Sequence, residues 1–275
     1  MEHPLDGQVA VVTGGGRGFG RAIAEGLAAA GAAVTVTARS RSELQDTVAA
    51  IEQAGGAALA IAGDVTNRQD IERVQRETEA RLGPVTLLVH SAAVPWPFGP
   101  VWHVDPERWW QAQAVHVLGA MLCIKAFVPG MVARGGGRVI IVASAAGTVA
   151  RPNLSGYATG KATQIRLVEH LALEGKEHSV YAFVIHPGDV VTNLSELTMA
   201  DPDAQKYLPS FVANLTRRKA AGEDPLPGLK RCAAMCVELA SGRCDVLSGR
   251  YLRPEDDLER LARAAELAPA HQGAG

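Results

Sequence analysis

The chain has 275 residues, enough for one large α/β domain with a sizeable core. Its 27 Lys plus Arg against 29 Asp plus Glu leave a formal net charge of −2, which gives no electrostatic footprint for nucleic acid or an anionic membrane. Cys123, Cys232, Cys236 and Cys244 are too few for a disulfide framework. Cys232 and Cys236 have no His or second Cys pair beside them, so they read as small core residues and no metal is expected. The N-terminal MEHPLDGQ lacks the apolar core of a secretory signal. No uninterrupted apolar run reaches the ~18–20 residues of a membrane span. These features predict a soluble, cytoplasmic protein, in which the sequons at Asn193 and Asn214 carry no weight.

In chain order, QVAVVT (8–13) is an apolar β-branched run and predicts a buried strand. A glycine-rich turn leads into a helix over 21–31, followed by a strand over 33–38, a helix over 42–56, a strand over 57–65, a helix over 70–83 and a strand over 85–93. VPWPFGPVW (94–102) breaks the periodicity and reads as a loop. Asp105 with Pro106 behind it is a helix start, and the pattern continues to about Phe127, before Pro129. A strand over 137–144, a long helix over 155–176 and a strand over 180–188 come next. Residues 189–228 are expected to be an irregular excursion of the kind that forms lids or binding loops. A helix over 229–241, a strand over 246–252 and a tail over 253–275 complete the chain. Seven strands alternating with helices predict a single α/β domain, a doubly wound parallel sheet with helices on both faces.

TGGGRGFG (13–20) joins the first strand to the first helix, and Gly14, Gly18 and Gly20 fit T-G-x-x-x-G-x-G. Glycines let the backbone approach a pyrophosphate, and the helix N-terminus adds free N–H groups and partial positive charge. In strand–loop–helix context this is a dinucleotide site. The second strand ends TARSR: no acid stands at Ala38, and Arg39 and Arg41 follow, with Arg17 in the loop. A positive fork without a carboxylate suits a 2′-phosphate, so NADP(H) is expected ahead of NAD(H). SGYATGK puts Tyr157 and Lys161 at i, i+4 on one helix face, with Ser144 closing the strand before. An ammonium beside a phenol favours the phenolate, and a hydroxyl nearby can orient a carbonyl while the Tyr exchanges its proton.

Together with Asp64-Val65 and PGDVVT at 187–192, these motifs resemble the short-chain dehydrogenase/reductase family over about residues 5–252. The resemblance implies a Rossmann fold, hydride transfer with NAD(P) and a homodimer or homotetramer. It also implies roles. Tyr157 would be the general acid/base, Lys161 would hold the nicotinamide ribose, and Ser144 would orient the carbonyl. Gly14, Arg17, Gly18, Phe19, Gly20, Arg39, Asp64, Val65, Ser91, Ala92, Pro187, Gly188, Val190 and Thr192 would line the cofactor.

Three positions depart from the family pattern. HSAA (90–93) stands where N-N-A-G is usual, Thr86 stands for an Asp, and QAVHVLG puts His116 where the family's catalytic Asn holds a water of the proton relay. His116 also shares a helical stripe with Trp109, Ala112, Ala120, Cys123 and Phe127, which predicts burial. As a site imidazole it would titrate near pH ~6.5, depressed by Lys161. The expected activity is reversible reduction of a small ketone or aldehyde. Trp96, Phe98 and Trp102 suggest an apolar or aromatic substrate, or else pack under their loop. An NAD-linked alcohol dehydrogenase, and a nucleotide-binding sensor or scaffold without turnover, are the alternative readings.

Overall fold

Val9–Thr13 (β1) is buried at all five residues, as a strand covered on both faces must be. The computed structural model describes residues 3–267. After β1 come α1 (Gly18–Ala29), β2 (Ala33–Ala38), α2 (Arg41–Gln53), β3 (Ala58–Ala62), α3 (Arg68–Leu82) and β4 (Leu87–His90). The second half holds α4 (Pro106–Gln113), α5 (Gly119–Ala133), β5 (Gly137–Val142), α6 (Ser155–Gly175), β6 (Val180–Ile185), α7 (Asn193–Ala200), α8 (Pro202–Tyr207), α9 (Pro209–Ala220), α10 (Leu226–Ala240), β7 (Tyr251–Leu252) and α11 (Leu258–Leu267). All pairings are parallel, in the order β3-β2-β1-β4-β5-β6-β7. The sheet therefore reverses its winding between β1 and β4, and the carboxyl ends there open the crevice where such folds bind ligands.

Alternate strand residues feed two cores. Val12, Val36, Val89 and Ile140 pack with Ile23 and Leu27 of α1 and Cys236 and Leu239 of α10. Val11, Leu88, Val139 and Ile141 pack with Val74 of α3, Phe127 and Met131 of α5 and Val168 of α6. Thr86 at the start of the fourth strand receives the Val9 N–H at 3.1 Å and donates to the Val9 carbonyl, which fastens the β1–β4 seam.

Three expectations are corrected. The helix that starts at Asp105 does not stop near Phe127: it passes through a π-turn at Ala114–Leu118 and through Pro129 to Ala133. At 28 residues, Pro106–Ala133 is apolar and long enough to cross a bilayer. Here Ala120, Cys123, Phe127 and Met131 are buried against the sheet, as in a core helix. The 189–228 excursion is not irregular but folds into α7, α8 and α9, with the start of α10 moved back to Leu226. Their short lengths and Pro202, Pro209 and Pro225 near the helix starts kept the 3.6 period out of view. The last strand shrinks to Tyr251–Leu252, preceded by a short turn at Asp245–Leu247. The tail forms α11 against the α10 side of the core, and residues 268–275 lie outside the described residues.

Candidate active site

The loop after β1 makes the floor of a cavity of about 790 Å³. Gly14 adopts φ +65°, and a Cβ there would stand 3.0 Å from Ala92 Cα, so only glycine fits between this loop and the end of β4. A Cβ on Gly20 would collide with the Gly14 carbonyl, so α1 can begin directly over the loop. No acidic residue stands in the first turn of α1, which leaves its N-terminal dipole free for an anion. Behind the loop, buried Thr47 of α2 donates toward the carbonyls of Gly15 and Gly16 at 3.0 and 3.3 Å.

Thr13 fastens the next wall. Its Oγ1 accepts the N–H groups of Ser91 and Ala92 at 3.1 and 3.2 Å and lies 3.1 Å from His90 Nδ1. With both lone pairs occupied, the hydroxyl proton goes to Nδ1, which assigns the proton of this imidazole to Nε2. Burial, followed by the Lys161 charge, pushes the His90 pKa down to about 3, so the ring is neutral. HSAA is thus a neutral imidazole latched to β1, and it presents Ser91, Ala92 and Ala93 to the cavity.

Ser144, Tyr157 and Lys161 meet on the opposite wall. Ser144 Oγ accepts the Ala146 N–H at 3.2 Å, which leaves its own proton to donate into the cavity. The start of α6 is pinned from three sides. Gln113 Nε2 donates to the Gly156 carbonyl at 2.7 Å, Pro97 packs where a Gly156 side chain would be, and Asn153 Nδ2 donates to the Tyr207 carbonyl at 2.9 Å. Tyr157 therefore sits on a rigid base. Its phenol pKa is raised by burial, against the opposing pull of the Ser144 hydroxyl. The expectation that Lys161 lowers it is corrected for the cofactor-free state: the ammonium lies 5.7 Å from the ring centroid and is itself depressed to about 7 by burial. A phenol held protonated is suited to giving its proton.

His116 lies in the π-turn, fully buried, and meets the Tyr157 ring edge-on at 5.5 Å between centroids. Its side chain does not line the cavity. Nε2 accepts the Val94 N–H at 3.1 Å, and Nδ1 lies over Gly160. Burial, then the charge of Lys161, keeps its pKa well below 6.5. The expected depression by Lys161 keeps its direction, with burial as the larger cause, and a ring whose Nε2 takes the Val94 N–H is held neutral.

The other residues expected at the site line this one cavity, except Arg41, Trp96 and Trp102. Phe98 lines it, but the Trp96 indole lies under the Arg108 guanidinium at 5.5 Å and Trp102 stands 81 % exposed. The aromatic reading of the loop thus holds for one ring of three. Arg39 faces the cavity, while Arg17 is paired to Glu43 Oε1 at 3.2 Å. Glu43, also cavity-lining, is a carboxylate that the sequence reading missed: it belongs to the first turn of α2, four residues after Arg39, where an acid reads as a capping residue. Also missed were Leu194, Leu197, Phe211 and Leu215, which form an apolar roof, because their helices were not foreseen.

This fold and cavity define a dinucleotide-binding α/β protein with a Ser–Tyr–Lys set at the carboxyl edge of its sheet. The family model for short chain dehydrogenases matches residues 8–203, and the chain belongs to that family of oxidoreductases. It is 33 % identical over 271 residues to a short chain dehydrogenase of Pseudocercospora fijiensis, covering 97 % of this chain and 86 % of the relative. It is 32 % identical over 238 residues to dehydrogenase/reductase SDR family member 4 of Sus scrofa, covering 86 % and 84 %. Among solved structures, a dehydrogenase/reductase from Sinorhizobium meliloti 1021 superposes with a TM-score of 0.78 at 30 % identity, covering 92 % of this chain and 95 % of the other. A gluconate 5-dehydrogenase from Burkholderia cenocepacia J2315, in complex with NADP and tartrate, superposes with a TM-score of 0.76 at 26 % identity, covering 92 % and 95 %.

Proposed function

We propose that the chain is an NADP(H)-dependent carbonyl reductase, converting a ketone or aldehyde reversibly to the alcohol. The observation that carries this is the meeting of Ser144, Tyr157 and Lys161 in one cavity with the Gly14–Gly20 loop. The residues fit a nicotinamide dinucleotide. The glycine cradle and α1 N-terminus suit the pyrophosphate, Asp64 and Val65 the adenine, and Lys161 the nicotinamide ribose. Val190 and Thr192 suit the carboxamide, with Ser91, Ala92, Pro187 and Gly188 as walls. When bound, the nicotinamide supplies the hydride. Ser144 holds the substrate oxygen through its free proton, and Tyr157 gives its phenolic proton to that oxygen; in the reverse direction the phenolate takes it back. The apolar roof and Phe98 favour an apolar or aromatic substrate.

Arg39 supports NADP(H), as does the relative solved with NADP. A second reading, NAD(H), is favoured by Glu43, whose carboxylate could accept from ribose hydroxyls and repel a 2′-phosphate. Trp110, Leu118, Met121 and Leu173 are exposed on α4, the π-turn, α5 and α6, which supports a homodimer or homotetramer. Four unpaired cysteines support a cytoplasmic location.

The test is NADPH oxidation against a panel of aryl ketones and aldehydes, with Tyr157→Phe as control. Loss of the acid should cost on the order of 10²–10⁴-fold in turnover. Tight NADPH binding without any Tyr157-dependent turnover would replace the enzyme by a nucleotide sensor.

A further inference from the structure

Gln164 is a fully buried polar side chain three residues beyond Lys161 on α6. The Lys161 ammonium has three protons. One goes to the Val142 carbonyl at the end of β5, at 2.7 Å, and one to Gln164 Oε1 at 3.0 Å. The other end of the Gln164 amide donates from Nε2 to the His116 carbonyl at 2.8 Å. That carbonyl belongs to the middle of the π-turn, where the widened helix alters the ordinary hydrogen-bond ladder. The His116 ring in turn receives the Val94 N–H at 3.1 Å. One continuous chain of bonds thus runs from Lys161 through α6 and the π-turn to the loop that follows β4.

We propose that Gln164 is a positioning residue of this site: its amide clamps the Lys161 ammonium to the main chain of the π-turn, where a water would otherwise stand, and fixes the direction of the one remaining Nζ proton. The side chain suits this work. Its carbonyl end accepts from the cation and its NH₂ end donates to the backbone carbonyl, so both partners are satisfied by one group. Asn is a methylene shorter, and Glu would set a carboxylate against the His116 carbonyl. Unlike a water, the amide neither takes nor gives a proton at neutral pH. Lys161 is then a fixed donor toward the cavity, not a proton channel through the helix side.

The titratable groups facing Lys161 are His90 from β4, His116 from the π-turn and Tyr157 from its own helix. The two imidazoles are held neutral by burial. The Gln164 carbonyl, with the Val142 carbonyl, is therefore what the buried cation has to stabilise it. A hydrogen bond to the charged form favours that form. Removing it should make Lys161 lose its proton at lower pH.

The inference rests on reading Tyr157 and Lys161 as the reacting set, so the experiment follows Lys161 itself, without cofactor or substrate. The chain has six lysines, few enough for the Lys161 ε-methylene NMR signal to be assigned by difference with Lys161→Met. Gln164→Met, an unbranched replacement, should lower the Lys161 midpoint by about one pH unit or more, and Gln164→Glu should raise it by a similar amount. With NADPH and substrate, Gln164→Met should lower kcat by roughly tenfold with KM changed less than about twofold. Unmoved Lys161 midpoints in the folded variants would overturn the proposal, even if kcat fell, because packing alone would then explain the loss. If Gln164→Met fails to fold, Gln164→Glu decides. Failure of Tyr157→Phe to abolish turnover would sink the functional reading and leave the Lys161 titration as a separate result.

Discussion

Thr13→Val removes one oxygen from the centre of the fold and leaves the shape intact. Thr13 is fully buried, and its hydroxyl serves three partners: the Ser91 N–H at 3.1 Å, the Ala92 N–H at 3.2 Å and His90 Nδ1 at 3.1 Å. A buried polar group that loses its partner costs ~1–3 kcal/mol. Ser91 and Ala92 are half-buried, so water recovers part of their loss and each sits at the low end of that range. His90 is fully buried, its Nε2 already has no partner, and its Nδ1 would lose its own as well. The sum is roughly 3–5 kcal/mol, a large share of the ~5–15 kcal/mol that holds a domain together. Valine fills the same volume, so no cavity adds to the cost. Thr13→Ser keeps the hydroxyl and loses one methyl, about 1 kcal/mol. Urea unfolding of the three proteins at pH 7.5 measures the difference, and NADPH titration follows the cavity wall that the hydroxyl holds. Equal stabilities for the Val and Ser variants would refute the account of Thr13 as a hub.

Two further outcomes follow from charge. Glu43→Gln should tighten NADPH binding several-fold by removing a like charge from the 2′-phosphate side and freeing Arg17, while Arg39→Ala weakens NADPH and leaves NADH nearly unchanged. If neither variant alters the NADPH/NADH ratio in fluorescence titrations, the phosphate lies elsewhere. Acid should destabilise the fold well before general denaturation. His90 is depressed to about 3 and His116 well below 6.5 by burial, whereas the unfolded chain takes up protons at pH ~6.5. The unfolded state therefore binds the extra protons, and stability is lost as pH falls from about 6.5 toward the folded values, by up to ~2.7 kcal/mol per pH unit for the two rings. Unfolding free energies at pH 7 and pH 5 test this. His90→Gln should roughly halve the slope, and a flat profile in the parent protein would contradict the burial assignment.

Much of the architecture is written in local pattern. Strands covered on both faces must be short apolar runs, as in QVAVVT, and the helices between them carry a 3.6 period. A tight βα turn must be glycine, so Gly14, Gly18 and Gly20 could be read directly. The Tyr157–Lys161 spacing is a property of one helix and needs no tertiary information. α7 to α9 were not legible, because three helices of 6 to 12 residues, two of them started by a proline, leave too few turns for periodicity to show.

What only the tertiary structure decided are contacts between distant segments. The sequence determined the parallel sheet, the phosphate turn and the reacting set. It could not show that Glu43 shares the cavity with Arg39, that Trp96 turns toward Arg108, or that Thr13 and His90 share one proton. His116 is the clearest case. Its position could be counted along a helix, but a π-turn shifts the phase of that helix, and only packing sends the ring to Val94 and its carbonyl to Gln164. A hydrogen bond depends on where two groups end in space, and between segments 48 residues apart that place is set by the whole fold.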